Sequence, residues 1–235
     1  MDSAVRRPLV RELYETPMKP EEIEQRSFDI IEEEAGEHGL SPDEWIVARR
    51  MIHTTASFGL LADIRFSPDA IGSAVDAMLR GAPIYVDSNM IRGGTSIERL
   101  RKANAGYAPQ SVLCHVADKD VAEQAKAAGL PRSLFAVRKA KDALHGGIAV
   151  FGNAPVALME LNRMIVEDGV RPALVIAMPV GFVHVVESKE ELMSLDTPYI
   201  ALAGRRGGSP LAVSVIHSLS IIASDRKEKT DARAE

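Results

Sequence analysis

Apolar positions along the chain fall into two kinds of pattern. Five short runs are apolar throughout and bounded by turn residues: Pro83-Ile84-Tyr85-Val86-Asp87, Ser111-Val112-Leu113-Cys114-His115, Ile148-Ala149-Val150-Phe151, Ala173-Leu174-Val175-Ile176-Ala177 and Tyr199-Ile200-Ala201-Leu202. None alternates cleanly with polar residues, the pattern of strands covered on both faces. Between the runs, helical spacing predicts helices near 95–104, 118–129, 133–144, 153–167 and 187–194, with a last one over 209–223. Upstream, Ile23, Ser27, Ile30 and Ile31 form one stripe of a helix whose other faces are acidic. Ser41-Pro42-Asp43-Glu44 is a helix start: Ser at the N-cap, Pro in the first turn, Glu three residues on. Ser67-Pro68-Asp69 repeats that signal before a helix expected to stop near Gly81. Strand alternating with helix predicts an α/β fold, a five-stranded parallel sheet covered on both sides, with extra helices ahead of it. Residues 1–20, with Pro8, Pro17 and Pro20, read as an extended arm. Residues 21–223 read as one domain, and 224–235 as a disordered charged tail.

In such folds ligands bind beyond the carboxyl ends of the strands, so the segments after the strands are informative. They are Asp87-Ser88-Asn89-Met90-Ile91-Arg92-Gly93-Gly94, Gly152-Asn153-Ala154-Pro155, Met178-Pro179-Val180-Gly181-Phe182-Val183 followed by Glu187-Ser188-Lys189, and Gly204-Arg205-Arg206-Gly207-Gly208-Ser209. Glycines there either make tight turns or let the backbone approach a ligand. No G-x-G-x-x-G follows a strand, and there is no P-loop or G-x-S-x-G elbow, which disfavours dinucleotide, P-loop and serine-hydrolase chemistry. On the helix from Ser41, Ile46, Arg49, Arg50 and His53 share a face at i, i+3, i+4 and i+7. Two readings stand open: a solvated face carrying a surface histidine, or a cationic wall for a carboxylate-rich ligand with a histidine acid or base.

Composition narrows the partners. The chain of 235 residues has 28 Lys and Arg against 33 Asp and Glu, a net charge of −5, so no global attraction for nucleic acid is expected. The single cysteine, Cys114, excludes an internal disulfide and a CxxC metal site. The histidines, 38, 53, 115, 145, 184 and 217, are never three or four apart, so no helical metal-ligand pair is expected. No apolar run is long enough to span a bilayer. The first 19 residues carry Arg6, Arg7 and Arg11 without an apolar core, so no secretory signal is expected and the cytoplasm is the default compartment.

Taken together, the segments resemble the precorrin-8X methylmutase (precorrin isomerase) family over residues 16–223. The resemblance rests on Gln25-Arg26-Ser27-Phe28, Arg50-Met51-Ile52-His53-Thr54-Thr55, Phe66-Ser67-Pro68, Asn89-Met90 and Arg132-Ser133. It also rests on Gly152-Asn153-Ala154-Pro155, Met178-Pro179-Val180-Gly181-Phe182-Val183, Glu187-Ser188-Lys189 and Gly204-Arg205-Arg206-Gly207-Gly208-Ser209. It implies a flavodoxin-like doubly wound domain and a homodimer with sites near the subunit interface. The implied reaction is an intramolecular methyl migration from C-11 to C-12 of the corrin precursor, giving hydrogenobyrinate or cobyrinate, with no cofactor and no protein-bound metal. The family's catalytic histidine falls on His53. Substrate contacts are expected from Ser27, Arg50, Thr54, Asn89, Arg92, Arg132, Ser133, Asn153, Lys189 and Arg206, with Lys189 and Arg206 favoured among the cations. Some members carry Asp where this chain has Ser57, and others an Arg where it reads Val116-Ala117-Asp118. Asp118 is then expected to cap the next helix, and His115 is either a substitute contact or a core histidine.

Two further expectations come from the first helices. The Ser27 hydroxyl points inward with Ile23, Ile30 and Ile31, toward a carbonyl one turn back, the substrate or a partner subunit. Ile23, Phe28, Ile30, Ile31, Trp45 and Met51 offer more apolar surface than one helix layer needs, which suits a homodimer. The alternative function is a non-catalytic corrinoid carrier that hands product to the next enzyme; a flavin-type module is disfavoured by the 5% aromatic content.

Overall fold

The computed structural model describes residues 9–234. The chain divides into two compact units, Met1–His38 and Gly39–Glu235, where the sequence pattern drew one domain from residue 21.

The first unit holds α1 (Val10–Glu15) and α2 (Pro20–Ala35). The expected extended arm therefore contains a helical turn and a half; Arg6, Arg7 and Pro8 lie outside the described residues. Pro20 opens α2, and Glu22 reaches back to accept from the Lys19 N–H at 2.9 Å. Within α2, Phe28 and Ile31 are buried, while Ile23 and Ile30 are 48% and 45% exposed, so the apolar stripe is only half covered.

The second unit runs α3 (Pro42–Thr55), β1 (Ile64–Phe66), α4 (Ala70–Leu79), β2 (Ile84–Val86), α5 (Asn89–Gly94), α6 (Ile97–Ala103), β3 (Val112–Leu113), α7 (Lys119–Ala128), α8 (Arg132–Lys139), α9 (Lys141–Leu144), β4 (Ile148–Phe151), α10 (Pro155–Glu167), β5 (Leu174–Ala177), α11 (Val185–Met193), β6 (Tyr199–Leu202) and α12 (Ser209–Ala234). The sheet order is β1-β6-β5-β4-β2-β3. The five predicted strands are all present and parallel, in the 2-1-3-4-5 arrangement of a flavodoxin-like doubly wound sheet. The sixth, β1, pairs antiparallel with β6 at the edge. At three residues with an exposed Arg65 in its middle, it gave no apolar run to find.

Strand side chains alternate between two buried faces. Tyr85, Ala149, Phe151, Val175, Ala177 and Ala201 pack with Val137, Leu144, Leu158, Leu161 and Leu192 of α8–α11. Their neighbours Ile84, Val86, Ile148, Val150, Leu174, Ile176 and Ile200, also fully buried, point the other way, where α12 packs on α3, α4, α5 and α6 and touches β4 and β5.

Two helix boundaries differ from expectation. The Ser67 signal does not cap α4: Asp69, at φ +57°, is the N-cap, and the Ser67 hydroxyl instead accepts from the Tyr199 N–H at 2.8 Å, tying β1 to β6. The last helix continues through the charged segment expected to be disordered. Arg226 pairs with Asp43 at 2.6 Å and the Thr230 hydroxyl bonds back to the Arg226 carbonyl at 2.9 Å.

Candidate active site

The post-strand segments do converge, and hydrogen bonds knit them together. Asp87, the residue after β2, is 2% exposed. Its carboxylate accepts from the N–H groups of Gly152 (3.1 Å), Asn153 (2.9 Å) and Ala154 (2.7 Å), joining β2 to the start of α10. Burial pushes the Asp87 carboxyl above the usual range, although these backbone donors pull it down. Ser88 caps α5 by accepting from the Ile91 N–H at 3.3 Å, and its hydroxyl meets that of Ser209 at 3.0 Å. Within this post-strand segment, residues 89–94 form a short helix.

Close approach explains two glycines. A side chain at Gly152 would lie 2.9 Å from the Ser209 Cα, and one at Gly207 would lie 2.2 Å from the Met178 carbonyl oxygen. The 204–208 segment lies against the loop after β5, with the Gly208 N–H donating to the Met178 carbonyl at 2.8 Å.

Two cations favoured as carboxylate contacts are committed to this framework. Lys189 on α11 is fully buried and donates to the carbonyls of Gly204 (2.9 Å) and Arg206 (2.8 Å). Burial lowers its pKa to about 8, with the Asp63 carboxylate pulling the other way. The sequence reading expects Lys189 to contact substrate; here its side chain has no exposed surface and its ammonium is bonded to two main-chain carbonyls. Arg206 is half exposed; it donates to the Gly59 carbonyl at 2.6 Å and pairs with Asp63, tying the last post-strand segment to the chain ahead of β1.

Beside this framework lies an open cavity of about 360 Å³, lined by α3, α5 and α12. Arg50 and Thr54 come from α3, Met90 and Gly94 from α5, and Ser209, Pro210, Val213, Ser214 and His217 from α12. The last turn of α3 is set by the Ser41–Glu44 capping box at its start, with Glu44 accepting from the Ser41 N–H at 2.8 Å, and by Ala56 at φ +50° beyond its end. The Thr54 hydroxyl donates to the Arg50 carbonyl at 2.8 Å. His53 sits between these two wall residues in sequence and is exposed on the same turn, though it is not itself part of the cavity lining. The α12 helix begins at the cavity, so its free N–H groups add positive potential there.

The remaining expected contacts divide. Asn89 and Arg92 are exposed on α5 beside Met90, which is 68% exposed at the cavity. Asn153 is exposed at the end of β4, its N–H held by Asp87. Arg132 lines a different cavity, with Glu123, Lys126 and Leu130 of the α7–α8 junction, and Ser133 follows it on α8. The structure does not bring these two to the first cavity. Ser27 lies in the first unit, and its hydroxyl donates to the Ile23 carbonyl at 2.8 Å, the one-turn-back partner. Asp118 stands at the N-cap of α7 but its side chain makes no cap bond; it accepts from His115 Nδ1 at 2.9 Å and from Lys139 at 2.8 Å, which holds it below the usual carboxylate range. Among the described residues, no cluster of three or more His, Cys, Asp or Glu could hold a metal, and no helix is long and apolar enough to cross a membrane.

Sequence reasoning missed His217. Its Nε2 accepts from the Ser96 N–H at 3.0 Å. Burial, with Arg99 and Arg50 nearby, lowers its pKa to about 4. The signal was present: Pro210, Val213, Ser214 and His217 repeat at i, i+3, i+4 and i+7 after a glycine-rich segment.

Comparison with known proteins gives a consistent picture. A sequence model described as precorrin-8X methylmutase matches residues 22–222. A cobalt-precorrin-8 methylmutase of Leptospira interrogans is 40% identical over 215 residues, covering 88% of this chain and 96% of that protein. A precorrin-8X methylmutase of Pseudomonas aeruginosa is 36% identical over 84% of this chain and 93% of its own length. Among solved structures, the precorrin-8X methylmutase of Thermus thermophilus superimposes with a TM-score of 0.80 at 45% identity, covering 87% of this chain and 96% of that one.

Proposed function

Given that the chain belongs to the precorrin-8X methylmutase family, isomerases that move a methyl group within a corrinoid substrate in cobalamin biosynthesis, we propose that this chemistry takes place over the last turn of α3, with His53 as the acid. The carrying observation is that His53 shares that turn with Arg50 and Thr54, which wall the cavity entered by the α12 N-terminus. The corrinoid polycarboxylate lies across the exposed edge of the cavity. Its carboxylates face Arg50, Arg92 and the start of α12, whose local positive potential offsets the net charge of −5. Methyl migration from C-11 to C-12 neither adds nor removes atoms. A proton given by His53 to a ring nitrogen or carbon selects the reactive tautomer, and the same proton equivalent returns to the imidazole when the product forms. The 152–154 and 204–208 segments, held by Asp87 and Lys189, supply a fixed floor. Asn89, Thr54 and Asn153 offer neutral polar contacts around it.

His53→Ala tests this reading. Turnover is followed by the change in visible absorption as the conjugated system changes, and it should vanish while product binding stays within about tenfold, roughly 1.4 kcal/mol. Turnover above a few per cent of wild type would remove His53 from the role. Presenting metal-free and cobalt-bearing substrate to the same preparation decides between the two names borne by the relatives.

The same reading includes a cytoplasmic homodimer that releases its product to the next enzyme of the pathway. Phe28, Ile31, Trp45 and Met51 are already buried within one chain, so the apolar surface left for a partner on the first unit includes Leu9, Val10, Leu13, Tyr14, Ile23 and Ile30, each close to half exposed or more. A contact burying more than ~1,000 Å² is expected. Light scattering at micromolar concentration that gives the mass of a single chain would overturn the dimer.

A further inference from the structure

We infer that His217 is a ligand-recognition residue of the α3–α5–α12 cavity: its imidazole, with the tautomer fixed by the main chain, presents Nδ1–H to an acceptor oxygen of the bound corrinoid beside the Arg50 guanidinium. The inference rests on the reading that this cavity takes the corrinoid, and it deepens that reading.

The tautomer follows from one bond. The Ser96 backbone N–H lies 3.0 Å from His217 Nε2. A backbone N–H only donates, so Nε2 must present its lone pair, and the proton of the neutral ring is left on Nδ1. Among the described residues Nδ1 has no hydrogen-bond partner, and it is not among the buried polar atoms left unsatisfied. The ring forms part of the cavity wall next to Arg50, Thr54 and Ser214.

The charges around the ring keep it in this state. Arg50 faces it from α3 and Arg99 from α6, both positive, while Met90 and Gly94 of α5 bring no charge to the cavity. Together with burial they hold the imidazole neutral down to about pH 4. A cation beside a neutral, fixed N–H donor suits a carboxylate: one oxygen is drawn by Arg50 and the other is held by His217. The ligand class is thus an acetate- or propionate-type side chain of the macrocycle, read by position as well as by charge.

Two substitutions separate this role from a merely structural one. His217→Gln places an acceptor where Nε2 was, keeping the Ser96 bond, but puts no donor at the Nδ1 position. His217→Asn does the reverse. Titration with hydrogenobyrinate, read by visible absorption, should show Gln at least tenfold weaker than wild type and Asn within about threefold. Gln binding as wild type does, with Asn impaired, would mean that the ring only holds Ser96, and would overturn the inference alone. Wild type failing to bind hydrogenobyrinate would overturn the reading of the cavity and the inference with it. Should either variant fail to fold, ¹⁵N spectra of the wild-type ring decide. An Nδ1–H tautomer constant from pH 5 to 8, whose Nδ1 resonance moves on adding hydrogenobyrinate, supports the inference. A ring that titrates between pH 6 and 7, or an unmoved resonance, overturns it.

Discussion

Two groups of polar side chains meet beyond the carboxyl ends of the strands, and they are used differently. On one side Asp87, Lys189 and Arg206 tie separate segments of the chain together: three N–H groups for Asp87, two carbonyls for Lys189, the Gly59 carbonyl and the Asp63 carboxylate for Arg206. On the other side Arg50, Thr54 and His217 wall a cavity open to solvent. In sequence the two groups look alike, polar residues next to glycines or on a helix end. What separates Asp87 and Lys189 from the wall residues is burial, while half-exposed Arg206 joins them through its bonds to Gly59 and Asp63. A buried ion satisfied by backbone groups fixes loops; on the proposed reading, the cavity wall meets the ligand. Changes on the first side should therefore appear in stability, and changes on the second in binding.

The largest effect is expected at Asp87. Replacing it by Ala leaves the N–H groups of Gly152, Asn153 and Ala154 without their acceptor in a largely closed site. Hydrogen bonds to a charged group contribute about 1.5–3 kcal/mol each before the relief of carboxylate burial is subtracted, so a net loss of about 3 kcal/mol is expected. For a chain of this size that lowers Tm by roughly 6–12 °C. A Tm within about 2 °C of wild type would show that this side is not the framework.

Lys189 tests the same side through pH. Its pKa is about 8 in the folded chain against an ordinary 10.5. Between those values the unfolded chain binds more protons, so Lys189 should make stability rise with pH from about 8 toward 10, opposed above about 9 by the Cys114 thiol, which burial pushes up. Above that, Tyr107, whose pKa burial raises to about 12, reverses the slope because the folded chain then keeps the extra proton. Lys189→Met should abolish the alkaline rise in Tm and, by freeing residues 204–208, cut turnover at least tenfold. A rise that persists in the variant would assign it to another group.

Arg50 and Arg206 sharpen the contrast between the sides. Arg50→Ala should weaken hydrogenobyrinate binding about tenfold, or 1.4 kcal/mol, and flatten its salt dependence. Arg206→Ala should leave affinity within about threefold while lowering Tm. The opposite ranking would restore the sequence-based preference for Arg206 as the carboxylate contact.

The sequence made the framework legible but not its division of labour. Unbroken apolar runs revealed the five parallel strands because burial on both faces leaves no polar alternation to confuse them. Edge strand β1, with Arg65 in its middle, lacked that signature. The post-strand segments were located by their glycines, and Gly152 and Gly207 do sit where another backbone allows no side chain. That Lys189 would turn inward could not be read, since its partners are carbonyls 15 and 17 residues away that carry no sequence signal. Nor could the pairing of His217 with Ser96, which spans 121 residues. For Ser27 the one-turn-back carbonyl was one of the partners the sequence left open, and the structure makes that local bond.

The smallest expected effect lies at Ala56, where the open side stores a little strain. Ala56 follows the His53-bearing turn as the C-cap of α3, at φ +50° and ψ +35°, donating to the Ile52 carbonyl at 2.7 Å. A Cβ in this left-handed conformation costs about 1–2 kcal/mol. Glycine removes that cost but gives the unfolded chain about 0.4–1 kcal/mol more entropy to lose. Ala56→Gly should thus stabilise the chain by about 0.5–1 kcal/mol, a rise in Tm of about 1–4 °C. If the strain does nothing for the site, turnover stays within twofold. If the methyl group instead holds the last turn of α3 against its surroundings, Tm rises while turnover falls and hydrogenobyrinate affinity is kept. That outcome would place positioning at the open side as well, and break the division between a framework that fixes and a wall that only reads.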